Sequence, residues 1–445
     1  MSQSKVIRVA VAGGALFTLL GAGAWWLARD RDSRTWRYWQ KRLPQSVAEA
    51  RAAGIVTSMA EAKEPSPAGV NGAPLIEAAF ATFEAANFKP GYYSWRRMYE
   101  KGGKNRAEVV REVRRFAPQI PGSLAASRAD YYRWDVDPGR FYEGVGHTGR
   151  VISSLTIGAT ILTLEGDSQR VETAFVANRN LRQVLTNLGT ERALSTASLM
   201  RKQAAQQLAW MAANSRVDSA LVEKLAETLR DEPFSLKHAL RFEAMCRMGG
   251  FESGRHSDWM QPDAELKDIV DPAYFVEWKT FYNAPESVLR EANSGWVLHH
   301  MADQWAKPDR SILEMAHAAP NPEARFEVTI EKPLPLDYFA LYYSSLEEMA
   351  ATWMEGKVQA DLCIAATSIH LYKRQHGVWP TDLWQVASAP QDPWSGEAFQ
   401  YQRSEDRFYL WSVGNNGKND WGRSVKNLPQ GDDICFSSQL GEVVR

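Results

Sequence analysis

Six oxygen-bearing side chains gather near the C-terminus: Asn415, Asn416, Asn419, Asp420, Asp432 and Asp433, on the stretch from Gly414 to Asp433. Carboxylates, amide oxygens and backbone carbonyls are the hard donors that calcium collects, about six to eight at a time, and a flexible loop can bring them together. The same residue types also build metal-free turns, because an Asx side chain bonds backbone two residues on. Both readings stand at this point: a calcium loop, with calcium as the one cofactor the chain suggests, and a plain turn.

Other chemistry-bearing residues point to no reaction. His299 and His300 are adjacent, which on a helix sets them about 100° apart, and His370 and His376 fall on different faces, so neither pair matches a metal-ligand spacing. Gly250-Phe251-Glu252-Ser253-Gly254 has its serine one place too late for a nucleophile elbow, and no phosphate-binding or dinucleotide-binding glycine pattern is present. Asp135 and Asp137, beside Tyr131, Tyr132 and Trp134, have the types that flank a sugar in a glycosidase, and equally those of a solvated loop. No catalytic residue is assigned. The cysteines Cys246, Cys363 and Cys435 are widely separated and lack a C-x-x-C, which predicts small buried hydrophobes. The 17 tryptophans, Trp379, Trp384, Trp394, Trp411 and Trp421 among them, are read as gap fillers in the main, with some able to line a glycan or protein surface.

The elements that must position the Asn/Asp loop are legible. Leu336 to Gln375 reads as one long helix, or two broken near Gly356, with Val358, Leu362, Ala365, Ile369 and Tyr372 on one stripe. Phe399 and Tyr401, then Phe408, Leu410 and Ser412, alternate as in an antiparallel pair, joined by the polar Arg403-Ser404-Glu405-Asp406-Arg407. Asp433-Ile434-Cys435-Phe436 predicts a third short strand.

The order Tyr372-x-x-x-His376-Gly377-x-Trp379-Pro380, Asp392-Pro393-x-Ser395-Gly396, Tyr401 and Ser412-Val413-Gly414-x-x-Gly417 resembles the C-terminal module of the major pseudopilins of type II secretion systems. With the helical body and N-terminus it also looks like a group of uncharacterised membrane-anchored or exported bacterial proteins. The first resemblance implies a helix packed on a small sheet closed by a calcium loop. The glutamate that pseudopilins carry after their leader is replaced here by apolar residues following Gly14, so a filament subunit is not implied.

Upstream, Arg150 to Arg247 reads as four to five antiparallel helices, broken at Gly166-Asp167, Gly189-Thr190, Asn214-Ser215 and Asp231-Glu232-Pro233. A helix is predicted over 75–86, and Asn105 with Glu108 reads as a capping box opening a helix that runs to Phe116. Val6 to Ala28, charged only at Arg8, is long enough to span a membrane, with a cleaved signal at Ala22-Gly23-Ala24 as the rival. The chain therefore reads as mainly α: an N-terminal transmembrane helix within 1–30, a juxtamembrane segment and linker over 31–74, a multi-helix body, bundle or repeat-like, over 75–335, and a long helix with a small α+β module over 336–445. Lys+Arg of 52 against Asp+Glu of 53 removes the long-range electrostatic reason to expect nucleic acid as the main partner, leaving room for a local basic face.

These features predict a single-pass envelope protein with its bulk exported, acting as a scaffold or interaction module on protein partners. The alternative is an exported glycan hydrolase with its site in the Trp-rich helical region.

Overall fold

The computed structural model describes residues 37–55, 57, 68–85, 92–132, 138–188, 190–230, 236, 243, 286–306, 311–319, 346–386, 389–423, 433–438 and 442–444. The apolar run 6–28, the acids Asp135 and Asp137, Cys246 and Asp432 lie outside them. Twelve α-helices are described: α1 (37–52), α2 (Ala73–Ala85), α3 (Tyr92–Glu100), α4 (Gly103–Phe116), α5 (Gln119–Ser127), α6 (Pro138–Leu164), α7 (Val171–Asn187), α8 (Glu191–Ala213), α9 (Ser219–Glu227), α10 (Glu286–Ala306), α11 (Ile312–His317) and α12 (Leu346–His376). Four strands follow, β1 (Gln400–Arg403), β2 (Phe408–Ser412), β3 (Ile434–Ser437) and β4 (Glu442–Val444), paired antiparallel in that order.

The chain divides into two compact units. One comprises Met1–Met59, Arg247–Pro308 and Pro320–Ser344. In it α1 and α10 are joined by Glu49, which accepts from His299 Nδ1 at 2.9 Å, and by Trp39, whose ring lies 5.4 Å from that of His299 and 6.0 Å from that of His300. The two histidines thus serve a helix contact.

The other unit, Ala60–Cys246, Asp309–Ala319 and Ser345–Arg445, is built around α6. Every residue from Val151 to Leu164 is buried, which a helix apolar all round requires. Ile152, Ile157, Ile161 and Leu162 are fully buried, each contributing about 1.5–3 kcal/mol of transfer free energy. Thr156, Thr160 and Thr163 enter this core because each hydroxyl donates to the carbonyl four residues back, at 2.8, 3.0 and 2.9 Å.

Three of the predicted breaks fall where helices end, and the fourth, Asp231-Glu232-Pro233, lies outside the described residues. Gly166, at φ 94°, lets its own amide reach Thr163 O and the amide of Asp167 reach Leu162 O, a Schellman motif that stops α6. Thr190 caps α8 by accepting from Ala193 N, and Asp218 caps α9 by accepting from Ala220 N. One expectation is corrected. Asn105 does not cap α4, which starts earlier, at Gly103, after Gly102 turns the chain at φ 71° without any side-chain cap.

α12 lies along α8 in the same direction, since Gly356 meets Ser198, Asp361 meets Arg201, and Arg374 reaches Val217 O. It continues unbroken through Gly356. The glycine is there for close approach: a Cβ on it would stand 1.9 Å from Ser198 Oγ. The predicted stripe packs, with Val358, Leu362, Ala365 and Ile369 buried and Tyr372 half-buried. Against α12 stand Phe408 and Leu410 of β2 and Phe436 of β3, all fully buried. β4 was not legible from sequence, because three residues are too few for alternation to show.

Candidate functional site

The C-terminal module is held to α12 by a clamped turn. Where the helix ends, Trp379 is buried while its carbonyl accepts from Arg403 Nη1 at 2.8 Å and that of Pro380 accepts from the Tyr401 hydroxyl at 3.0 Å. Both donors come from β1, so sheet and turn are fixed together. The Lys373 ammonium sits 3.8 Å above the Trp379 ring, a cation–π contact.

Next comes a single turn of 3-10 helix, Leu383–Gln385. Asp382 caps it by accepting from Trp384 N at 3.2 Å, and Gln385 Oε1 accepts from Thr381 N at 2.7 Å. Consecutive residues on such a turn point about 120° apart, so only one of an adjacent apolar pair can face inward. Leu383 is buried and Trp384 is 78% exposed. Val378, just before the clamp, is 60% exposed.

Residues 414–423 of the Asn/Asp stretch reach the Trp411 side of the sheet. Asn419 Oδ1 accepts from Trp411 Nε1 at 3.0 Å and from Trp421 N at 2.9 Å, tying β2 to the loop with one amide. Trp421 then takes φ 60°, uncommon for a bulky residue, and leaves its ring 76% exposed. Beyond it, Gly422 donates to Asp433 Oδ2 at 2.8 Å and accepts from the Cys435 thiol at 3.0 Å. Asn416 Oδ1 accepts from Lys418 N at 2.6 Å, its Nδ2 donates to Asp420 Oδ2 at 3.2 Å, and Asn415 Oδ1 meets His317 Nδ1 of α11 at 3.1 Å.

The structure thus brings Asn415, Asn416, Asn419, Asp420 and Asp433 into one loop. Their oxygens named here face nitrogen groups of the protein itself, and among the described residues no group of three or more His, Cys, Asp or Glu is arranged to hold a metal ion. Asn416 and Asn419, which accept from Lys418 N and Trp421 N two residues on, each close an Asx turn. The thiols of Cys363 and Cys435 are both pushed up to about 12 by burial, which makes them unreactive at neutral pH.

His370 lies in the aromatic core of the module, 5.4 Å from the Trp379 ring and 5.3 Å from that of Phe408. Burial, assisted by the charges of Lys373 and Arg374, pushes its imidazole down to about 4 from 6.5. The unfolded chain therefore takes up this proton first. Stability contributed by neutral His370 is complete above pH 6.5 and falls as pH drops toward 4, by roughly 3 kcal/mol at most. Denaturant midpoints measured across that range should show a steeper acid-side loss in the native chain than in His370→Phe.

A second feature is an open cleft of about 220 Å³ between α8 and α12. Leu199, Met349 and Trp353 supply apolar lining, with Glu191, Glu355 and Lys202 as charged groups. One tryptophan lines it.

No protein-family model, curated protein or solved structure matches this chain. Of the tryptophans singled out by sequence, Trp379, Trp394 and Trp411 are buried, whereas Trp384 and Trp421 are displayed.

Proposed function

We propose that this protein is a membrane-anchored envelope protein acting as an interaction scaffold, whose C-terminal module docks partner proteins of a secretion or pilus-like system. The observation that carries this reading is the exposure of Trp384 and Trp421, at 78% and 76%, on turns hydrogen-bonded in place. A large ring on a fixed backbone, with only two side-chain torsions to order, buries its area on a partner at a low cost in side-chain freedom. Tryptophans of this kind dominate interface energetics.

The anchor rests on residues 6–28, since no helix among the described residues is long and apolar enough to cross a membrane. The rival reading, a glycan hydrolase, draws on Glu191 and Glu355 beside Trp353 in the cleft. Its open form and single tryptophan support contact better than catalysis, which calls for an enclosed, water-excluding site.

Changing Trp384 and Trp421 together to alanine should leave thermal stability within about 0.5 kcal/mol per site, because neither ring fills the core. In detergent-solubilised membranes the double variant should migrate at its own mass on a native gel while the native chain migrates as a larger complex. Identical migration of the two would remove the module from partner binding.

A further inference from the structure

The exposed face of α3 and α4 carries a charge that the rest of the chain does not. From Arg96 to Arg115 there are eight Lys and Arg against three Glu, in a protein whose net charge is -1. Two of the cations turn inward. Arg106 binds Glu165 at 2.6 Å and covers the Tyr99 ring, and Arg96 binds Glu100 at 2.9 Å beside Trp210. The other six, Arg97, Lys101, Lys104, Arg111, Arg114 and Arg115, are exposed. Only Arg115 among them lies within 4 Å of a carboxylate of the described residues, that of Glu112 at 3.9 Å. Glu108 is the remaining exposed acid on this face.

We propose that this face binds an anionic phospholipid surface. A cluster of four to eight Lys and Arg on an amphipathic helix is the pattern that negative headgroups attract, each cation adding about fivefold to the affinity at low salt. Nucleic acid fits less well. Trp95, Tyr99 and Phe116 of these helices are buried, so none of the three offers a platform for a base. The apolar side chains Val109, Val110 and Val113 are likewise buried, so the contact is electrostatic and involves no insertion. The proposal rests on the membrane location proposed above, and it adds a second contact by which the body would be drawn down onto the bilayer.

The test uses the full chain mixed into vesicles of phosphatidylcholine alone, or of phosphatidylcholine with phosphatidylglycerol, and acetylation rates read lysine by lysine by mass spectrometry. Lys101 and Lys104 should be labelled at least about fivefold more slowly on the anionic vesicles, with Lys418 of the C-terminal loop unchanged. High salt should abolish the difference, and Arg111→Glu with Arg115→Glu should reduce it, both positions being exposed. A chain that floats with anionic but not neutral vesicles would refute the anchor and keep this face. Flotation with both and equal labelling in both overturns this face and keeps the anchor. Stronger protection of the same lysines by duplex DNA than by anionic vesicles also overturns it.

Discussion

Asp361→Ala is expected to cost about 3–5 kcal/mol of folding stability, the largest effect of any single change considered. Its carboxylate is almost completely buried between α8 and α12, accepting from Arg201 Nη2 and from Lys357 Nζ, each at 2.7 Å. Arg201 is buried too, and spends its Nε on the carbonyl of Leu229 at 3.1 Å, just beyond α9. Nearby, Arg182 donates to Thr228 O at 2.7 Å, so two guanidinium groups serve the end of one short helix. Alanine would leave Arg201 charged, buried and without its anion. Replacing both partners, as Arg201→Met with Asp361→Leu, should cost less than Asp361→Ala, since no buried guanidinium is stranded: the Leu229 carbonyl loses its donor, and the Lys357 ammonium, which is a quarter exposed, loses its carboxylate. Denaturant unfolding followed by tryptophan fluorescence checks both. A loss below about 1 kcal/mol for Asp361→Ala would mean that the pair is hydrated in solution.

The second large effect is expected at Asp392. This side chain is buried and accepts three bonds, from Trp394 N at 3.0 Å, Ser412 Oγ at 2.8 Å and Val413 N at 3.0 Å. It closes its own turn and pins the end of β2 to it, immediately before the Asn/Asp loop. Removing the carboxylate strands two backbone amides and a hydroxyl, at about 1–3 kcal/mol per unsatisfied group before relaxation, so Asp392→Ala should lose about 3 kcal/mol. Asp392→Asn should lose less, because one amide oxygen still accepts. Burial raises the Asp392 carboxyl above its ordinary 3.8, against the lowering effect of its hydrogen bonds. A raised carboxyl binds its proton more readily in the folded state. Its contribution to stability therefore grows as pH falls through the window above 3.8, opposite in sign to that of His370. Unfolding midpoints of the native chain and both variants at neutral pH give the size. Equal midpoints for native and Asp392→Ala would show that water replaces the carboxylate.

Much of this architecture is readable in the residues. The breaks at Gly166, Thr190 and Asn214 follow from local chemistry, a left-handed glycine, a capping hydroxyl and an Asx turn, and such signals act within a few residues. The alternation of Phe408, Leu410 and Ser412 likewise states which face meets α12. Gly356 misleads for a reason that lies far away in sequence: its missing Cβ makes room for Ser198, and nothing near Gly356 says so. The same holds for the tryptophans. Trp411 and Trp421 sit ten positions apart, yet one is covered by the loop and the other displayed, because Asn419 bonds the indole of the first and the backbone of the second. Composition counts both alike. The six cations of α3, α4 and the turn between them were hidden differently, since a neutral total conceals a segregated charge.

The claim that the C-terminal module is a docking surface is tested most directly by a photoreactive amino acid placed at position 384 in intact cells, with position 75 on α2 as the control. Leu75 is also exposed, at 42%, but lies on the helical body. The account predicts a discrete adduct of constant mass from position 384, absent from position 75 and lost when Trp421 is changed to alanine. No adduct from position 384, or the same adducts from both positions, would contradict it.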